Sequence, residues 1–158
     1  MIRLGKVVAI DEAKAKVRVQ IEDADQVVTF WLPVLQQKAQ DDKFYRLPDI
    51  GELVVCGFYS DDWDTGIVLG SIYNEIDPPP VSSKDKVHIR FKDGTELEYD
   101  RAAHKMRIDV KGDIEIKITG NANITVGGNS TIRTDGHTEL SSGKCISFHC
   151  DIHGGGTI

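Results

Sequence analysis

The chain has 158 residues, and 19 Lys and Arg against 25 Asp and Glu give it a formal net charge of −6 at pH 7. This length holds one ordinary domain with an extension, or two small domains. The acidic balance, with no run of basic residues, argues against a surface that binds nucleic acid by displacing phosphate counterions. We see no signal peptide at the amino terminus and no apolar stretch of the roughly 18 residues that a spanning helix needs, so we expect synthesis in the cytoplasm.

Residues 1–76 show the periodicity of strands in five segments that are separated by turn signals. The predicted strands are 4–10, 15–21, 27–34, 52–59 and 65–72. The first two form a hairpin through 11–14. Pro33 means that the third strand either ends there or lies on the edge of the sheet. A long polar connection, 35–49, follows it. Five short strands with one long connection after the third predict a small closed barrel of the oligonucleotide/oligosaccharide-binding (OB) type.

The aromatic residues of this predicted barrel stand among acidic residues. They are Phe30, Trp31, Phe44, Tyr45, Phe58, Tyr59 and Trp63. A groove for single-stranded nucleic acid combines stacking rings with basic residues, so we expect no such groove here. The rings either dock against a neighbouring protein or close the small core.

The three cysteines, Cys56, Cys145 and Cys150, match neither a disulfide framework nor a closed zinc site. Cys56 lies in the apolar run 53–58 and is predicted to be a core thiol. Cys150 shares the phase of inward-facing residues near the end of the chain, where packing is the simpler interpretation. His149 precedes it, but neighbouring residues of a strand face opposite sides, which argues against a thiol nucleophile.

A proline-rich segment, 77–86, separates the barrel from the rest of the chain. Its three consecutive prolines, 78–80, favour extended polyproline geometry and therefore a stiff linker. A hairpin is predicted next, with strands 87–91 and 96–99 around the Asp93-Gly94 turn.

The last third of the chain, 105–152, repeats every eight residues, with glycine returning at Gly112, Gly120, Gly128 and Gly136. The fifth place of each octad forms an apolar column: Ile108, Ile116, Ile124, Ile132, Leu140 and Phe148. Apolar and polar places alternate around this column. The alternation predicts short strands that turn at the glycines and have one apolar and one polar face.

No amphipathic helix is available to cover this long apolar face. Further copies of the chain around a rotation axis would place the column against itself, layer by layer. We therefore predict an obligate, intertwined oligomer with this column at its centre. The alternative is a meander whose apolar face packs on the N-terminal domain of the same chain.

The whole chain resembles the baseplate assembly protein V family, the central spikes of contractile-tailed bacteriophages and R-type pyocins, which are related to type VI secretion spikes. The segments that carry the resemblance are 2–8, 30–34 (Phe-Trp-Leu-Pro-Val), 49–55, 66–74, 91–95 and the glycine octads. The resemblance implies an all-β homotrimer. It consists of an OB-fold barrel over 1–76 that docks on the tail hub and other baseplate proteins, the linker 77–86, and a triple-stranded β-helix over 87–158.

The resemblance also implies the role of a structural spike that is driven through the host outer membrane when the tail sheath contracts. Its location would be the tail baseplate of a virion or of a phage-tail-like particle. The alternative function is an OB-fold module for oligonucleotides or glycans with a trimerising β tail. A hydrolytic spike is a third reading, but the chain has no room for an inserted lysozyme domain and no paired-carboxylate cleft, so we expect no enzyme activity.

Spikes of this family commonly end in an apex where a His-x-His pair from each chain binds iron. Here the histidines are four apart, at His149 and His153, and a regular strand would face both of them outward together with Asp151. The glycines at 154–156 could break that register, and imidazole with carboxylate is a reasonable ligand set for iron. The alternative is a solvated rim that is capped by a separate tip protein.

Overall fold

A computed structural model of the chain describes residues 1–60 and 63–147 and is all-β, as predicted. The elements are β1 (Ile2–Asp11), a 3₁₀ turn (Glu12–Lys14), β2 (Lys16–Ile21), β3 (Leu32–Pro33), β4 (Leu53–Phe58), β5 (Gly66–Ser71), β6 (Lys86–Arg90), β7 (Glu96–Asp100) and β8 (Lys105–Asp109). In the part of the chain so described, no helix has the length and apolarity that a bilayer crossing requires.

The first five strands form one antiparallel sheet in the order β3-β2-β1-β4-β5. A parallel bridge joins Val34, just after β3, to Val68 of β5, and the Leu35 amide donates to the Val68 carbonyl at 2.9 Å. The two edges of the sheet therefore meet. The resulting barrel is nearly closed and is consistent with the predicted OB fold.

Strict alternation of buried and half-buried residues along β2 and β4 places one face of the sheet inside the barrel. The core consists of Val7, Val17, Val19, Ile21, Leu32, Val54, Cys56, Phe58 and Val68. Burial raises the pKa of the Cys56 thiol to about 11, so the group is protonated at neutral pH. Cys56 is therefore the core thiol that the sequence predicted.

The third strand is much shorter than the predicted segment 27–34. Asp25 and Gln26 adopt positive φ angles of 43° and 59°, and only a single bridge joins Val28 to Gln20. The Thr29 hydroxyl accepts from the Val19 amide at 3.0 Å and donates to the Phe30 carbonyl at 2.8 Å. A side chain thus replaces part of the backbone ladder, and regular pairing is confined to Leu32–Pro33.

The predicted hairpin after the linker is present as β6 and β7, with Gly94 at a positive φ of 86° in the turn. β8 adds a third antiparallel strand beside β7 and corresponds to the first octad. Residues 77–85 of the predicted linker contain no strand, whereas its last residue, Lys86, begins β6. The domain limits at residues 76 and 86 stay a prediction.

The octad region differs from the strands that we predicted for it. Within the described residues only the first octad, β8, is paired in a sheet, and residues 110–147 contain no strand. A β-strand exists only beside a strand that accepts its hydrogen bonds, and residues 1–60 and 63–147 offer none to the later octads. The chain divides into two compact units, 1–114 and 115–158, and β8 belongs to the first.

Candidate functional site

One face of the β6–β8 sheet is apolar and open to solvent. Direct cross-strand neighbours form two apolar rows, Val87–Tyr99–Met106 and Ile89–Leu97–Ile108. Val87 is 69% exposed and Ile108 is 56% exposed. Monomeric proteins rarely leave a contiguous apolar face of this kind uncovered, so it marks an interaction surface.

The opposite face of this sheet is occupied by ion pairs. Lys86 Nζ contacts Glu98 Oε1 at 2.9 Å and Asp100 Oδ2 at 3.8 Å, and Glu98 Oε2 is 3.1 Å from His88 Nδ1. Glu96 lies 3.9 Å from both Arg90 and Arg107. The ion pairs across the strands satisfy this face, whose centre is sheltered, since the His88 side chain is only 5% and that of Glu98 only 18% exposed. The apolar rows on the other face are the part of the sheet that is left open.

The pairing changes the pKa values of its members. The hydrogen bond from Lys86, followed by that from His88, lowers the pKa of Glu98 below its usual range. The same bond to Glu98 raises the pKa of Lys86. Both groups are therefore charged over a wide range around neutral pH.

The predicted trimer core begins on the apolar face of this sheet. Ile108 lies in β8 opposite Leu97. The next members of the column are highly exposed: Ile116 is 75%, Ile124 is 90% and Ile132 is 87% exposed, and Leu140 is also exposed. A meander that packs on the N-terminal domain stays the alternative prediction.

The predicted tip falls outside the described residues. Phe148, His149, Cys150, Asp151 and His153 all belong to the segment 148–158. In residues 1–60 and 63–147, no group of three or more His, Cys, Asp or Glu side chains is placed to hold a metal ion. Iron at His149 and His153 therefore stays a prediction.

The aromatic residues of the barrel divide between the two roles that the sequence left open. Phe58 is buried, and its ring packs edge-on against Trp63 at a centroid distance of 5.3 Å, so these two close the core. Phe30, Phe44, Tyr45 and Tyr59 are each more than half exposed. The Tyr45 hydroxyl donates to the Glu12 carbonyl at 2.9 Å, which holds that ring beside the β1–β2 turn.

Two features of the site escaped the sequence analysis. The strand period of 105–110 was visible, but the pairing of the first octad with β7 was not, because octad and hairpin were treated as separate elements. The network of Lys86, His88 and Glu98 was also missed. The signal was a polar residue at every second place of both hairpin strands, 86–90 and 96–100.

The fold and the site define a class of protein: a small OB barrel followed by an all-β extension whose apolar face lacks cover. Residues 3–73 match the family described as the type VI secretion system/phage-baseplate injector OB domain. The chain is 36% identical over 100 residues to the "Spike protein" of Escherichia phage P2. The aligned stretch covers 63% of this chain and 46% of that protein. The chain thus spans about half the length of the curated relative it matches. Both likenesses bear out the resemblance to baseplate spikes that was drawn from the sequence.

Proposed function

We propose that three copies of this chain form the central spike of a contractile, phage-tail-like baseplate, with the octads wound into a triple-stranded β-helix. The exposed column from Ile108 to Leu140 is the observation that carries the proposal. Three copies around an axis would bury each layer of the column against itself and give every octad a strand to pair with.

Such a shaft suits a part that transmits force along one axis. Paired backbone groups and a continuous dry core resist bending, because bending would open hydrogen bonds and cavities together. We propose that sheath contraction drives this shaft through the outer membrane of the host. A passive piercing element needs no catalytic residues, and none is assigned.

The barrel supplies the attachment to the rest of the baseplate. Phe30, Phe44, Tyr45 and Tyr59 offer exposed rings of the kind that is enriched at protein interfaces. We assign them to contacts with the tail hub and neighbouring baseplate proteins, and the assembled spike to the baseplate of the virion or particle. The net charge of −6 gives no support to a nucleic-acid partner.

The tip has two candidate arrangements. Either His149 and His153 of three chains hold iron, or a separate tip protein caps the apolar end of the shaft. Elemental analysis of the purified oligomer separates them, because bound iron in a fixed ratio to chains supports the first and its absence the second.

The mass of the full chain in dilute solution tests the assembly. Sedimentation equilibrium should give three times the chain mass of 17.5 kDa. A compact species of 17.5 kDa at micromolar concentration would overturn the proposal. For the piercing role, particles that carry an assembly-deficient variant should keep sheath contraction but lose entry into the host.

A further inference from the structure

The charges on the polar face invert from the first octad to the second. Lys105, Arg107 and Asp109 occupy the three outward places of the first octad, and the second octad carries Asp113, Glu115 and Lys117 eight residues later. Each of the two basic residues of the first octad thus corresponds to an acidic residue eight positions later, and the acidic residue corresponds to a basic one. In the next two octads, the same places hold Asn121, Asn123, Thr125, Asn129, Thr131 and Arg133. The inversion is therefore confined to the start of the shaft.

A hairpin within one chain would set like charges against each other. If residues 110–112 formed the turn, Asp109 would face Asp113 and Lys105 would face Lys117, and only Arg107 with Glu115 would be a pair of opposite charge. A longer turn over 110–114 would oppose Asp109 to Glu115 and Arg107 to Lys117. Both registers keep β8 intact through Asp109, as the structure requires. Like charges directly opposite each other destabilise a strand pair, so the pattern disfavours folding back.

Parallel pairing of the two octads has the reverse effect. In register, Lys105 lies beside Asp113, Arg107 beside Glu115, and Asp109 beside Lys117, so all three pairs are of opposite charge. The apolar places then also coincide, Ile108 with Ile116 among them. A parallel partner from the same chain needs a crossover of about a dozen residues or more, whereas only 110–112 separate the octads. The second octad must therefore come from another copy.

The structure leaves the matching edge open. β8 is an edge strand of the β6–β8 sheet, and it pairs only with β7 among the described residues. Around a threefold axis, the same octad of each copy lies at one height on a different side. Suppose that each octad carries its chain from one side of the three-sided shaft to the next. On every side, an octad then lies beside the following octad of a different copy.

We propose that β8 of one copy accepts residues 113–117 of a second copy as a parallel strand, and that the inverted charges set the axial register between the copies. This inference rests on the proposed function, since it needs the trimer. An octad is otherwise a weak determinant of register, because a slip by eight residues restores the apolar column. A slip of that size would place Glu115 beside uncharged places, so the charged layer identifies the correct alignment.

Most of the charges that this pairing needs are free. Within the described residues, Lys105, Asp113, Glu115 and Lys117 form no ion pair or side-chain hydrogen bond. Asp109 is already held by Arg107 at 2.6 Å and by Lys111 at 2.9 Å. The Lys105–Asp113 pair is therefore expected to contribute most, since Arg107 already contacts Asp109 at 2.6 Å and Glu96 at 3.9 Å.

Two glutamates at the same octad place provide a matched test. Glu115→Lys should set like charges against Arg107 of another copy, whereas Glu139→Lys makes the same chemical change beside Thr131 and Ser147. With three such contacts per trimer, Glu115→Lys should shift the trimer-to-monomer ratio in urea about tenfold towards monomer. Glu139→Lys should shift it by less than about twofold. In about 1 M salt, where the screening length is about 3 Å, the difference should largely vanish.

A double-mutant cycle with Lys105→Glu and Asp113→Lys isolates the pair even if Lys105→Glu also disturbs its cross-strand neighbour Asp100. Each single variant should weaken the trimer, and the double variant should recover several-fold relative to the sum of the single effects. Additive effects in the cycle, together with equal ratios for Glu115→Lys and Glu139→Lys, would overturn the register proposal while the trimer itself persisted. A monomeric wild-type chain would instead overturn the proposed function.

Discussion

The barrel and the octads share the same alternation of apolar and polar residues, but the apolar residues are buried in the barrel and exposed in the octads. In β2, every second residue points inward, and Val19 is fully buried; in the octads the same alternation leaves Ile124 90% exposed. The barrel closes because turns return the chain antiparallel to itself and because Val34 meets Val68. An octad advances without returning, and in the proposed trimer its hydrogen bonds and its apolar face are satisfied by other chains. Alternation therefore predicts a buried face but not which molecule buries it.

The largest expected effect separates assembly from folding. Ile124→Asp would place three carboxylates on the axis of the shaft, where burial without partners is costly, and should abolish the trimer. The barrel, whose core does not include Ile124, should stay folded. Sedimentation reports the assembly, and the near-ultraviolet dichroism of Trp63 against Phe58 reports the barrel. Asn123→Asp at the neighbouring outward place is the control, and a normal trimer in Ile124→Asp would contradict the comparison.

A second substitution tests the core of the barrel and should destabilise the barrel itself. Leu32 is fully buried, and Leu32→Ala should lower the free energy of unfolding of the barrel by about 2 to 5 kcal/mol. Leu35→Ala, at a residue that is 59% exposed, should cost far less. Urea titration followed by tryptophan fluorescence measures both. Loss of the trimer in Leu32→Ala under conditions where the barrel is folded would show that the two regions are not independent.

A smaller effect is expected where two strands of the barrel approach closely. A Cβ at Gly5 would lie 2.6 Å from Val19 Cγ1 and still closer to the Gln20 carbonyl, whereas a Cβ at Gly57 meets its nearest atom at 3.6 Å. Gly5→Ala should therefore destabilise the barrel by about 1 to 3 kcal/mol through overpacking. Gly57→Ala is the matched control in the adjacent part of the sheet. Equal midpoints of thermal unfolding for the two variants would refute this account of Gly5.

The smallest expected effect is a dependence on pH in the β6–β8 sheet. Because the folded-state pKa of Glu98 is lowered, its contribution to stability is present above the ordinary glutamate value of about 4.3 and is lost as the pH falls through the folded-state value. Glu98→Gln should therefore be less stable than the wild type at pH 7 but not at acid pH. Thermal unfolding at both pH values measures the difference. Glu75→Gln, at an exposed residue, should show no such dependence.

Much of the fold could be predicted from local chemistry. Turn residues and alternation located four of the five barrel strands to within about two residues, and the Asp93-Gly94 turn located the β6–β7 hairpin. The third strand could not be predicted, because the Thr29 side chain takes over backbone bonds only when Val19 is beside it. The ion pairs of Glu98 escaped for a related reason, since they join residues from two strands whose register is a property of the assembled sheet.

The sequence by itself determined four of the five barrel strands, the hairpin that follows them, the buried position of Cys56 and the existence of an apolar column. These follow from side-chain type and spacing, which act over a few residues. Only the tertiary structure decided that Val34 and Val68 close the barrel, that β8 joins β7, and that the column is exposed from Ile116 to Leu140. Closure is a contact between segments that are distant along the chain, and no local pattern encodes which distant segment, or which copy, will provide it.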